Sequence, residues 1–116
     1  MRGLRYVLEA DGVTAVEEPD IRRWGQWFED EAHRILARTT VGELVVCTDF
    51  LAVNQNLGPD GPPILWETMI SGRDGWLGYQ EQYTSHAAAL AGHAAAVLYA
   101  QAAQIAADAA AEVDRG

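Results

Sequence analysis

Residues 39–72, TTVGELVVCTDFLAVNQNLGPDGPPILWETMISG, read as a strand, a tight turn, a long strand, a wide loop and a further strand. Gly42 and Glu43 separate two β-prone runs, and a two-residue hairpin turn needs a residue that accepts positive φ, so a hairpin is expected there. At period two, Leu44, Val46, Thr48, Phe50 and Ala52 share one face of the second strand, with Val45, Cys47, Leu51 and Val53 on the other. Both faces are largely apolar, which predicts a central strand. Asn54, Gln55 and Asn56 open a loop that continues through Gly58, Pro59, Asp60, Gly61, Pro62 and Pro63, because consecutive prolines cannot donate to a ladder. Asn54 and Asn56 there suit Asx turns. From Ile64 the pattern resumes as a strand in which Glu67 falls among Leu65, Trp66 and Met69.

Upstream, residues 4–9 and 13–16 flank Asp11-Gly12, which predicts a small opening hairpin at the sheet edge. Glu17, Glu18, Pro19 and Asp20 then form an acidic helix entry with Asp20 as cap, and a helix is expected to about residue 33. Its Ile21, Trp24, Phe28 and Ala32 lie at helical spacing, widened by Trp27, so this face is expected to cover the sheet. Residues 35–41 lead into the Gly42 hairpin.

Downstream, residues 71–75 break the strand, and Trp76, Leu77, Tyr79 and Tyr83 either plug the sheet end or meet a partner. Ser85 suits an N-cap, and from His86 to about Val113 nearly every residue favours a helix. At 1.5 Å per residue this helix is ~40 Å long, more than one sheet of this size needs, so its far half should project. Leu90, Val97, Leu98, Ile105 and Val113 are its sparse larger apolar residues, the first four of them the candidate oligomer contacts; alanines between them permit close helix approach. His86 and His93 are about 10 Å apart along it, too far to share one metal, and neither metal nor cofactor is expected.

Four motifs carry a resemblance: DIRRWGQWFE at 20–29, residues 39–58, PPILWETMISG at 62–72 and YTSHAAALAGH at 83–93. Spanning most of residues 5–97, they are similar to a family of small proteins of actinobacteria and their bacteriophages that has no agreed activity. That family's pattern has Asp and His where this chain has Asn54 and Gln55, and a Trp with two acids where it has His86, Ala87 and Ala88. A phage-encoded or phage-derived protein acting in the host cytoplasm is what the resemblance implies.

With 116 residues, 49% hydrophobic and 22% charged, the chain is expected to be a single domain: a core over 1–85 and the long helix over 86–113. Eight Lys and Arg against seventeen Asp and Glu leave a formal charge of −9, which disfavours direct contact with nucleic acid or an anionic membrane. The lone Cys47 in a strand reads as an inert thiol. No nucleophile motif, P-loop or metal motif is present, and Asp49 and Glu67 are the only carboxylates the strand pattern brings near one another.

The fold expected is α+β: an antiparallel sheet of about four or five strands, one amphipathic helix across it and a long alanine-rich C-terminal helix. The function expected is a non-catalytic interaction or assembly protein, forming a homo-oligomer or binding another protein. The alternatives are a small-molecule sequestering module of nucleotide type, such as a phage counter-defence protein, and an enzyme of unknown class. A ligand site, on this reading, lies where Asn54, Gln55 and Asn56 meet the strand carrying Glu67, with Arg73 the nearest cation in sequence.

Overall fold

In the computed structural model, which describes residues 3–73 and 75–115, the chain opens with β1 (Tyr6–Leu8) and β2 (Ala15–Glu17), paired with Val7 opposite Val16. Asp11 organises the turn between them. Its carboxylate accepts from the Val13 and Thr14 N–H groups and from the Thr14 hydroxyl, bonds that hold its pKa down at about 2. This hairpin is a sheet of its own rather than an edge of the main one, joined to it by an Arg5–Val53 bridge and by the Tyr6 N–H donating to Ala52 O.

Asp20 caps α1 (Ile21–Glu29) by accepting from the N–H groups of Arg22 and Arg23. The helix ends four residues before the expected point because Asp30 is extended, at φ −81° and ψ 100°, and its carboxylate caps a separate 3-10 turn, Glu31–His33. Nine residues make a helix of only ~14 Å, and it does not lie across the sheet. It packs beside β1, with Trp24, Trp27 and Phe28 gathered around Phe50 and Trp66, while Ile21 stays exposed.

The main sheet is an antiparallel meander of β3 (Ile35–Val41), β4 (Leu44–Phe50), β5 (Trp66–Gly72) and β6 (Gly75–Tyr83), in that spatial order. The α+β class is therefore as the pattern predicts, with four strands in this sheet. Gly42 takes φ +58° in the turn that sets Val41 opposite Leu44. The segment expected as a plug or contact patch is strand β6, whose glycines and polar run 80–82 hide the period from sequence. Asp74 and the side chains of Trp76 and Leu77 lie outside the described residues, and with them that part of the expectation.

Ser85 caps α2 (His86–Arg115), its Oγ accepting from the Ala88 N–H. This helix covers the sheet, contacting all four of its strands. Beneath it Val46, Thr48 and Phe50 on β4 and Trp66, Thr68 and Ile70 on β5 are buried, while Val45, Cys47, Asp49, Glu67 and Met69 on the opposite face are half-buried. Gln104 makes the last side-chain bond to the sheet, accepting from the Glu43 N–H; residues 105–114 are exposed, and the molecule is 60 Å long by 29 × 23 Å. The far end of α2 thus projects, as its length implies, though by about a third rather than half.

Close approach of α2 to β6 depends on Gly92. A Cβ there would stand 2.1 Å from Tyr83 Oη and 2.2 Å from its Cζ, inside any tolerable contact. We predict that Gly92→Leu lowers unfolding free energy by about 1–3 kcal/mol, measured by urea titration, because the Tyr83 ring must leave its place. An unchanged midpoint would show that the helix is free to lift.

Candidate functional site

The amides expected to read a ligand are bonded within their own loop. Asn54 is 5% exposed, and its Oδ1 accepts from the N–H groups of Asn56 and Ile64 at 2.8 and 3.0 Å. Asn56 donates Nδ2 to the carbonyls of Asp60 and Pro62 and accepts from the Gly58 N–H, so both residues serve as the Asx elements that the Gly-Pro segment requires. Gln55 is exposed and donates to Val53 O. Glu67 stands opposite Asp49 in the register and accepts from the Gln80 and Gln82 side chains on β6. Arg73 pairs with Glu43 at the other end of β5, a seven-residue strand and so ~23 Å from the loop. Asn54 and Asn56 line one cavity of about 380 Å³ with Gly3, Leu4 and Leu57, and Gln55, Glu67 and Arg73 are not part of its lining.

Cys47 shares that open face. Its Sγ–H donates to Asp49 Oδ1 at 3.2 Å, and burial, then this bond, push the thiol pKa up, so Cys47 is a protonated thiol. No group of three or more His, Cys, Asp or Glu that could hold a metal lies among the described residues.

Helix α2 carries two distinct faces. On the inner one Ala89, His93, Ala96 and Ala100 are buried, at spacings of four, three and four. Alanine lets the helix backbone approach the sheet, and where the polar His93 side chain enters, the sheet supplies hydroxyls. His93 Nε2 lies 2.8 Å from Thr39 Oγ1 and Nδ1 lies 2.8 Å from Thr48 Oγ1, which bonds in turn to the Thr68 hydroxyl. Hydroxyls donate or accept as needed, so one neutral tautomer satisfies both ring nitrogens. Desolvation lowers the His93 pKa below its ordinary 6.5. A lone His amid small residues, facing threonines at period two on the strands, was the available sequence signal for this site.

The outer face is apolar and open. Leu90, Leu98, Ile105 and Val113 are 47%, 68%, 70% and 77% exposed. Val97, expected among the same contacts, belongs instead to the core, packed against Val46 and Ile70. Ala91, Ala95, Leu98, Ala102, Ile105 and Ala109 are all exposed and follow one another at alternating spacings of four and three, the seam of a coiled coil. Residues 86–107 contain no Asp, Glu, Lys or Arg. No helix among the described residues is long and apolar enough to cross a membrane.

The His93 latch makes stability depend on pH. Because its folded pKa lies below 6.5, the unfolded chain binds the extra proton first; the contribution is full above about pH 6.5 and is lost as pH falls through the folded value. Urea titrations from pH 8 to pH 5 should show a loss of stability below 6.5 that is smaller in His93→Gln, and Thr48→Val should cost about 1–3 kcal/mol at pH 7.5. Equal pH slopes in the two proteins would remove His93 from this account.

Comparison with protein-family models, with curated proteins and with solved structures found no match to this chain, so its residues and their geometry carry the functional reading.

Proposed function

We propose that the protein is a non-catalytic interaction module that pairs with a second copy of itself through the outer face of α2. The carrying observation is the exposed seam Ala91, Ala95, Leu98, Ala102, Ile105, Ala109, all but the last of it on a stretch of 22 residues, 86–107, without a formal charge, in a chain that is 22% charged overall. Interface cores are depleted in charge and solvated helix faces are not.

The chemistry of the helix ends favours an antiparallel pair. Asp108, Glu112 and Asp114 crowd the C-terminal end, where side by side they would repel their counterparts. Antiparallel pairing separates the two acidic ends and sets helix dipoles head to tail. A two-fold axis near Leu98 then places Ile105 over the partner's Ala91, large on small, which allows the close approach that alanine permits.

The size of the face sets the strength. Thirty residues make ~45 Å of helix, and a strip about 10 Å wide along it covers roughly 450 Å² per partner, against about 800 Å² in a standard interface. A micromolar dimer follows rather than a nanomolar one. Sedimentation equilibrium from 5 to 500 μM should show monomer passing to dimer in the native chain. Leu98→Glu with Ile105→Glu should leave monomer throughout and shift the melting temperature by only a few degrees, since both side chains are solvent-facing in the single chain. A native protein that stays monomeric at 500 μM, or a dimer that survives the double substitution, would overturn the reading.

A further inference from the structure

At the opposite end from the projecting helix, a cavity of about 540 Å³ lies between the opening hairpin, the 3-10 turn after α1 and the start of β3. That volume is within the roughly 300–1,000 Å³ of small-molecule sites. Trp27 and Trp66 with Leu8 and Leu36 form the apolar part of its lining, and polar groups supply the rest. Leu36 is the extra residue of a β-bulge, between Ile35 opposite Asp49 and Ala37 opposite Thr48, a device that redirects side chains beside binding sites.

The charged and polar side chains of the lining are Glu9, His33 and Arg34. Arg34 is anchored by its Nε donating to Phe28 O at 3.2 Å and by its guanidinium 4.0 Å above the Phe28 ring. Among the described residues no carboxylate lies within ion-pair distance of it, although the chain carries nine more acids than bases. His33 is stacked on Trp27, with Nδ1 bonded to Trp27 O and Nε2 3.5 Å from Asp30. Glu9 adds one negative charge to the lining. Trp66 is 3% exposed, and its Nε1 has no hydrogen-bond acceptor among the described residues, which is unusual for a buried indole.

We propose that this cavity binds a small, flat, monoanionic aromatic acid, its ring against Trp27 and Trp66 and its carboxylate on Arg34. An unpaired, anchored guanidinium matches a carboxylate. Glu9 and the acidic surface reject multiply charged ligands, so nucleotides are excluded from the class. The site shares no residue with the outer face of α2 and stands or falls independently of the pairing there.

The test titrates the full chain with 2-naphthoate, its neutral isostere 2-naphthamide, and AMP, following backbone and indole N–H signals by NMR. Naphthoate should bind at sub-millimolar concentration and shift the indole signals of Trp27 and Trp66; naphthamide should bind at least tenfold more weakly, and AMP not at all. Arg34→Gln should abolish the preference for naphthoate over naphthamide. Glu9→Gln, an exposed change that leaves the packing intact, should tighten naphthoate two- to threefold. Equal affinity for acid and amide, no shift at either indole, tighter binding of AMP, or an acid affinity unmoved by Glu9→Gln would each overturn the proposal.

Discussion

The fold depends on how closely α2 can lie on the meander, and that distance is set by alanine. Ala89, Ala96 and Ala100 are wholly buried on the sheet, and Gly92 admits the Tyr83 ring. Small residues contribute little apolar area each, so this contact is weak per residue and specific only in shape. His93 adds the specificity. An imidazole held between Thr39 and Thr48 has its hydrogen bonds in one position only; sliding the helix by one turn would bury it without partners, at a cost of about 1–3 kcal/mol.

What alanine cannot supply in area, the aromatic end does. Phe50 sits 5.3 Å from Trp66 and 5.7 Å from Trp27, edge-on, while Trp24 and Phe28 stack at 4.8 Å. Ala52 closes this cluster with φ +63°, a left-handed conformation costly for a residue with a Cβ. Its carbonyl accepts from both Trp24 Nε1 and the Tyr6 N–H, tying α1 and β1 to the end of β4. Two strong bonds to one carbonyl hold the strained residue in place. The sheet is thus clamped by rings at one end and by a narrow helix along the rest, and the cavity around Arg34 lies at the clamped end.

The features readable in sequence are those whose causes are local. The Gly42 turn, the Asp20 and Ser85 caps and the Asx turns in which Asn54 accepts from Asn56 and Asn56 from Gly58 each depend on a residue and its neighbours within about four positions. Features set by distant partners were not legible. The opening hairpin is a separate sheet, tied to the end of β4 by the Tyr6 N–H donating to Ala52 O, 46 positions away. The aromatic stripe of α1 has the right period for covering a sheet, but α2 already occupies that face. His93 looks like a helix histidine until Thr39 and Thr48 are placed beneath it. The ligand residues expected from sequence are polar groups in a loop, and Asn54 and Asn56 there bond largely to the loop's own backbone, whereas the lining around Arg34 is assembled from segments far apart in sequence.

Helix α2 has a packed side and an exposed apolar side, and helix propensity explains neither. At positions 91, 95, 98, 102 and 105, Glu, Gln or Lys would support the helix nearly as well as Ala, Leu or Ile and would keep an exposed face soluble. The chain is not short of charged residues: seventeen acids and eight arginines are distributed elsewhere. Beyond Gln104, where the sheet no longer touches α2, packing within one molecule places no demand on Ile105, Ala109 or Val113. Apolar character persisting past the last intramolecular contact, and ending only where Asp108, Glu112 and Asp114 begin to interrupt it, is what a second helix laid along the first would require.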